Sequence, residues 1–147
     1  MERYRHTQVG QWLLVVFALT IALLGVVALL VPDTQARVLT GIMAVILVGV
    51  TRVFTSLTTI VTDETFSFHF GGGVWRRHFP LADIGSVSAV RNRVWWGLGI
   101  HFTPRGWLYN VGGLDAVEVA LAGGRRFRVG TDEPERLAAA IDEARRA

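Results

Sequence analysis

An apolar helical hairpin joined to a small α+β module is the fold class this sequence predicts, and three observations predict it. Residues 12–31 and 38–54 are almost free of charge. After residue 54 the hydrophobic period changes from helical to alternating, with Gly-rich turns between the alternating runs. Residues 132–146 then carry the start signals, apolar stripe and charge order of one amphipathic helix.

The first span, WLLVVFALTIALLGVVALLV from Trp12 to Val31, contains no charged residue. At about 1.5 Å per residue it reaches about 30 Å, the depth of a bilayer's hydrocarbon core. A helix apolar on every side needs lipid or a much larger protein around it, and 147 residues hold only one core. A cleaved leader is opposed by the length of the span, since signal sequences carry apolar regions of about 7–15 residues. The second span, Val38 to Phe54, would remain in any case. The connection PDTQAR predicts a turn at Pro32 and Asp33, with Asp33 or Thr34 capping the second helix. The chain thus divides into an N-terminal tail at 1–11, two membrane helices at about 12–31 and 36–54, and a module at 55–147.

Arg3 and Arg5 precede the first span, Arg37 alone lies in the connection, and most arginines follow the second span. That bias predicts a multi-pass plasma-membrane protein with both termini cytoplasmic. Arg37 and Arg52 bracket the second span and can snorkel to opposite interfaces. Gly25, Gly41 and Gly49 form no GxxxG pair, so the helices carry little dimer signal, and a homo-oligomer stays open.

In the module, a turn at Asp63 and Glu64 sets Val61 opposite Phe66, Thr59 opposite Phe68 and Leu57 opposite Phe70, which gathers the apolar residues on one face. SFHFGGGVWRRHFPL predicts a second hairpin around the glycine triplet, IGSVSAV a strand and GIHFTP another. In AVEVALAGGRRFRV, a loop at 122–124 pairs Val119 with Phe127, Val117 with Val129 and Glu118 with Arg128, and a slip of one residue would expel Phe127. About seven antiparallel strands result, in a small barrel or bent sandwich with one open end plugged by the C-terminal helix. That helix has Thr131 or Asp132 as its cap, Pro134 in its first turn and Glu135 reaching back. Its stripe of Leu137, Ala140, Ile141 and Ala144 must dock on the sheet.

With this layout, the segments WWGLGIHFTPRGWLYNVGGLDAVEVAL and GRRFRVGTDEPERLAAAI resemble the bacterial pleckstrin-homology-like (PH-like) domain proteins, in particular small ones with a two-helix membrane anchor. The resemblance implies a PH-like fold at the cytoplasmic face of the membrane, in proteins mostly lacking an assigned activity. Lipid-binding PH domains usually place basic residues at the first hairpin turn. This chain has Asp63 and Glu64 there, which speaks against inositide specificity.

The chain has no cysteine, which removes disulfides, thiol nucleophiles and Cys-based zinc sites. Nucleophile-elbow, phosphate-loop, HExxH and calcium-loop motifs are absent, and the glycines after Phe70 lack the spacing of a dinucleotide fingerprint. His69 and His78 share a hairpin face without a visible third ligand, so no metal is expected, nor a cofactor or an enzymatic activity. All fifteen basic residues are arginine, a pattern spread along the whole chain, so their positions carry the information.

Residues 62–131 hold eight arginines against five acids, whereas 132–147 hold three against five, so the positive charge belongs to the sheets. Arg76, Arg77, Arg91, Arg93, Arg125 and Arg126, together with Trp95 and Trp96, form the candidate lipid or partner surface. Each arginine within a Debye length of anionic headgroups contributes about 1 kcal/mol of attraction. Gly97, Gly99, Arg105, Gly106, Trp107, Tyr109 and Asn110 are expected to build a structural corner, with Trp107 and Tyr109 on a strand that has one buried face.

The function expected from the sequence is a membrane-held module that binds a protein partner, itself or the lipid surface, with no nucleic-acid role. The alternative is an accessory subunit that modulates a transporter or secretion complex through its transmembrane helices.

Overall fold

The computed structural model describes residues 1–147. Strand β1 (Glu2–Val9) leads directly into α1 (Gln11–Leu30) and α2 (Thr34–Phe54), and the chain returns as β2 (Ser56–Thr62). Strands β3 (Thr65–Phe70), β4 (Trp75–Pro80), β5 (Ile84–Arg91), β6 (Gly99–Thr103), β7 (Gly106–Asn110), β8 (Asp115–Leu121) and β9 (Arg126–Gly130) follow, and α3 (Pro134–Arg146) ends the chain. The strands form two sheets, one in the order β1-β2-β3-β4 and the other β5-β8-β9-β7-β6.

Both helices of the hairpin are long and apolar enough to cross a membrane, and neither has a fully buried side chain, although Leu13 and Phe54 at their foot pack against the core. Asp33 caps α2 by accepting a hydrogen bond from the Ala36 amide at 2.8 Å. Within residues 1–11, expected as a tail, Glu2–Val9 is the edge strand of the first sheet, pairing with β2 from Glu2–Thr62 to Val9–Ser56, and Gln11 already begins α1. Tyr4, His6 and Gln8 face inward and are held by polar contacts to Glu133, Asp132 and the Gly112 carbonyl. Polar inward residues erase the alternation that marks a half-buried strand, so the sequence pattern is silent there.

The pairing continues to the foot of the hairpin, where the Gly10 amide donates to the Thr55 carbonyl at 2.8 Å. A Cβ on Gly10 would overlap the carbonyl of Val111, so the second sheet also packs against this foot. The helices therefore leave the β structure from two adjacent, hydrogen-bonded strands with no linker.

Both predicted registers are present: Val61 pairs with Phe66, Thr59 with Phe68 and Leu57 with Phe70, and Val119 pairs with Phe127, Val117 with Val129 and Glu118 with Arg128. Phe66, Phe68 and Phe70 from one sheet meet Tyr109, Phe127 and Val129 from the other, and Leu137, Ile141 and Ala144 of α3 complete the core. Nine strands form rather than about seven, because β1 is recruited and the Trp-rich stretch contributes both β6 and β7.

The sheets do not close into a barrel. The β6–β7 hairpin swings past β9, so that β7 runs parallel to it, and β4 and β6 are left as free edges. α3 covers the other side of the sandwich, against β5, β8, β1 and β2. Its start also differs from expectation. Thr131 Oγ1 accepts from the Glu133 amide at 3.1 Å in a turn ahead of the helix, Asp132 is engaged by His6, and Glu135 makes no capping bond.

Candidate functional site

The register divides the expected surface into separate places. In β4, Trp75, Arg77 and Phe79 pair with Phe70, Phe68 and Phe66 and share their inner face, while Arg76 and His78 pair with His69 and Ser67 on the outer face. Arg76 and Arg77 thus part company. His69 and His78 share that outer face as diagonal neighbours, and no group of three or more metal-ligating side chains exists in the chain.

On the outer face of the second sheet, His101, Leu108, Arg128, Glu118 and Ser88 form one cross-strand row. Arg128 is buried, with Nε donating to Glu118 Oε2 at 2.8 Å, Nη2 at 2.7 Å from the same oxygen in an ion pair, and Nη1 donating to Asn92 Oδ1 at 3.0 Å. The Trp96 ring lies 5.0 Å from its guanidinium, within cation–π range. The β5–β6 connection therefore folds over this face and explains why Leu108 is fully buried outside the main core.

Trp96 meets the protein itself, whereas Trp95 is 75 % exposed with Arg93 at 5.3 Å from its ring. Trp95, Arg91, Arg93 and Arg105 border a shallow depression of about 320 Å³. The turns around it have defined causes. Gly97 and Gly99 take φ of +70° and +103°, and the Arg105 amide donates to Thr103 Oγ1 at 3.1 Å. Asn110 closes the next turn, accepting from the Gly112 amide and donating to the Gly113 carbonyl.

The third place is the open seam of the sandwich, between β4 on one sheet and β6, β7 and β9 on the other. Its outer part is a cavity of about 410 Å³, floored by Phe79, Phe102, Trp107, Tyr109 and Phe127 and rimmed by Arg77, Arg125 and Arg126. Phe102 and Trp107 meet edge to face at 5.8 Å, and Phe79 stacks on Phe127 at 4.3 Å. Gly106, φ +97°, admits the Arg126 carbonyl where a side chain would overlap it, which holds the β6–β7 hairpin against β9.

Trp107 and Tyr109, expected to play one structural part, differ. Tyr109 is core, 4.8 Å from Phe68, while Trp107 is 48 % exposed at the mouth of the seam. Leu108, Tyr109 and Asn110 are all buried, so β7 is covered on both faces rather than one. Phe79 and Phe102, which line the cavity, lie outside the surface expected from the sequence. The alternation of Trp75, Arg77 and Phe79 in WRRHF was the available signal, since it places a cation between two aromatics on one strand face.

Near the amino terminus, Asp63 holds the Met1 amino group and Arg3 Nε. These bonds, the amino group first, keep its carboxyl below the usual range. The acidic turn expected from the sequence is therefore engaged with β1. Tyr4 is pushed up to about 12 by burial first, and then by the charge of Glu133, whose Oε2 accepts its hydroxyl at 3.2 Å.

No family model matches this chain, and neither a curated protein nor a solved structure gives a significant match to it.

Proposed function

We propose that the chain is a non-enzymatic integral protein of the plasma membrane, whose hairpin spans the bilayer and whose PH-like module works at the cytoplasmic surface as a binding platform. The observation that carries this reading is the insertion of α1 and α2 between two paired strands of one sheet, without a linker. A splice without a linker supports a reading in which one particular end of the sandwich lies against the lipid. The hairpin foot and that end share an apolar groove of about 540 Å³, which includes Phe17 and Phe54 from the helices and Trp75, Leu98 and Trp107 from the module. Tryptophan at this depth suits a headgroup region. The arginine distribution supports cytoplasmic termini, since only Arg37 lies between the spans.

Site-specific photo-crosslinking in the native membrane tests the platform. Benzoylphenylalanine at position 95 or 102 should capture a defined partner or lipid, and the same residue at position 45 of α2 should capture bulk lipid. Capture of one protein through position 45 alone would reverse the reading, in favour of an accessory subunit acting through its helices.

A further inference from the structure

The seam differs from the rest of the surface in combining aromatic lining with unbalanced positive charge. Arg77 and Arg125 have no carboxylate within 4.0 Å, and Arg126 reaches Glu118 only at 3.6 Å. No acidic residue lines the cavity. Phe102, at its border, is 72 % exposed, a large apolar surface that a monomer in water leaves uncovered at a cost.

Trp107 lines both this cavity and the apolar groove at the hairpin foot, so the two adjoin at its ring along the edge of the sandwich. The groove is bounded by the helices, and the far side of the cavity by Arg77 and Arg125. Addition of a peptide strand to the β4 edge is disfavoured, because Arg76, Arg77 and His78 stand along it and charged edge residues blunt strand pairing. The cavity falls within the range of about 300–1,000 Å³ typical of small-molecule sites.

We infer that the seam is a binding site for a single-chain anionic amphiphile drawn from the adjacent membrane, with its acyl chain along Trp107, Phe102 and Phe79 and its carboxylate or phosphate on Arg77 and Arg125. The inference rests on the membrane reading above and adds the ligand class. Guanidinium groups suit such head groups because they present forked donors to a planar or tetrahedral oxyanion. The adjoining helix groove offers the chain apolar surroundings as it leaves the bilayer.

The test uses the full chain in nanodiscs of zwitterionic lipid, with a fatty acid carrying a mid-chain diazirine, and the alcohol and amine of the same length as controls. After irradiation, mass spectrometry locates the adducts. All three probes should label α1 and α2, and only the fatty acid should label Phe79, Phe102 or Trp107 in high yield. Arg77→Glu and Arg125→Glu should each lower the seam yield about tenfold, the loss of one charge-assisted hydrogen bond. Unchanged helix labelling reports that the variants remain folded and inserted.

Labelled helices with an unlabelled seam would overturn the amphiphile site and leave the membrane reading intact. A labelled seam with unlabelled helices would overturn the membrane reading and the membrane source with it. Equal seam yields from amine and acid, or yields indifferent to both arginine variants, would refute the role of charge. Benzoylphenylalanine at position 102 that crosslinks to a second copy or to another protein would assign the seam to a protein contact instead.

Discussion

Replacing Arg128 by methionine removes a guanidinium held by Glu118 at 2.7 Å, by Asn92 at 3.0 Å and by the Trp96 ring at 5.0 Å. The side chains of Arg128 and Glu118 are only 7 % and 11 % exposed, so the variant strands a carboxylate largely out of water. Breaking a buried pair from one side costs about 3–5 kcal/mol. The lower end applies here, because Arg126 Nη1 remains 3.6 Å from Glu118 and offsets part of the charge. A loss of about 3 kcal/mol corresponds to a drop in Tm of roughly 12–24 °C for a module of this size.

Melting the full chain in one detergent, followed by circular dichroism, reads that drop. Replacing both partners, Arg128→Met with Glu118→Leu, should recover most of it, since an apolar pair of similar volume leaves no buried charge. Trp96 should become more accessible to acrylamide in the single variant. A single variant that melts within about 3 °C of the parent, well under 1 kcal/mol for this size, would refute the claim that this row holds the β5–β6 connection in place. So would a double variant no better than the single one.

Three further outcomes follow from named contacts. Gly106→Ala should destabilise by about 1–3 kcal/mol or more, because it adds left-handed strain at φ +97° to an overlap with the Arg126 carbonyl; chemical denaturation measures it. Phe68→Ala, which empties the space beside Tyr109 and Phe127, should cost about 3–5 kcal/mol in the same assay. Tyrosinate absorbance should show Tyr4 ionising at about 12. Between about pH 10 and that value the unfolded chain has lost a proton the folded chain keeps, so this contribution is complete below about pH 10 and falls as pH rises. Tyr4→Phe should remove that decline.

Much of the fold was legible because hydrophobic alternation fixes strand register. The pairs Val61–Phe66 and Val119–Phe127 follow from the sequence and recur in the structure. The cap of α2 was legible to within one residue, Asp33 or Thr34, and the Asp33 side chain accepts the Ala36 amide. β1 was not legible. Its inward residues satisfy themselves with Glu133, Asp132 and a backbone carbonyl, contacts made across 104 to 129 residues of sequence. The swing of β6–β7 past β9 was hidden for a related reason: parallel pairing of Trp107 with Phe127 depends on Gly106 approaching the Arg126 carbonyl.

The candidate site was legible as residue types but not as places. RRH and RRFR marked basic segments, yet only pairing with β3 sends Arg77 into the seam and Arg76 to the opposite face. WW marked two equivalent rings, yet Arg128 beneath Trp96 makes one structural and leaves Trp95 in solvent.

The central claim, that α1 and α2 span a membrane and set the module on its cytoplasmic side, is tested most directly by single-cysteine labelling, for which a chain without native cysteine is well suited. Thr34→Cys, between the helices, should react with an impermeant maleimide on intact cells, and Gly123→Cys, in the β8–β9 turn, should react only after lysis. Reaction of Gly123→Cys on intact cells, with Thr34→Cys protected, would contradict the account.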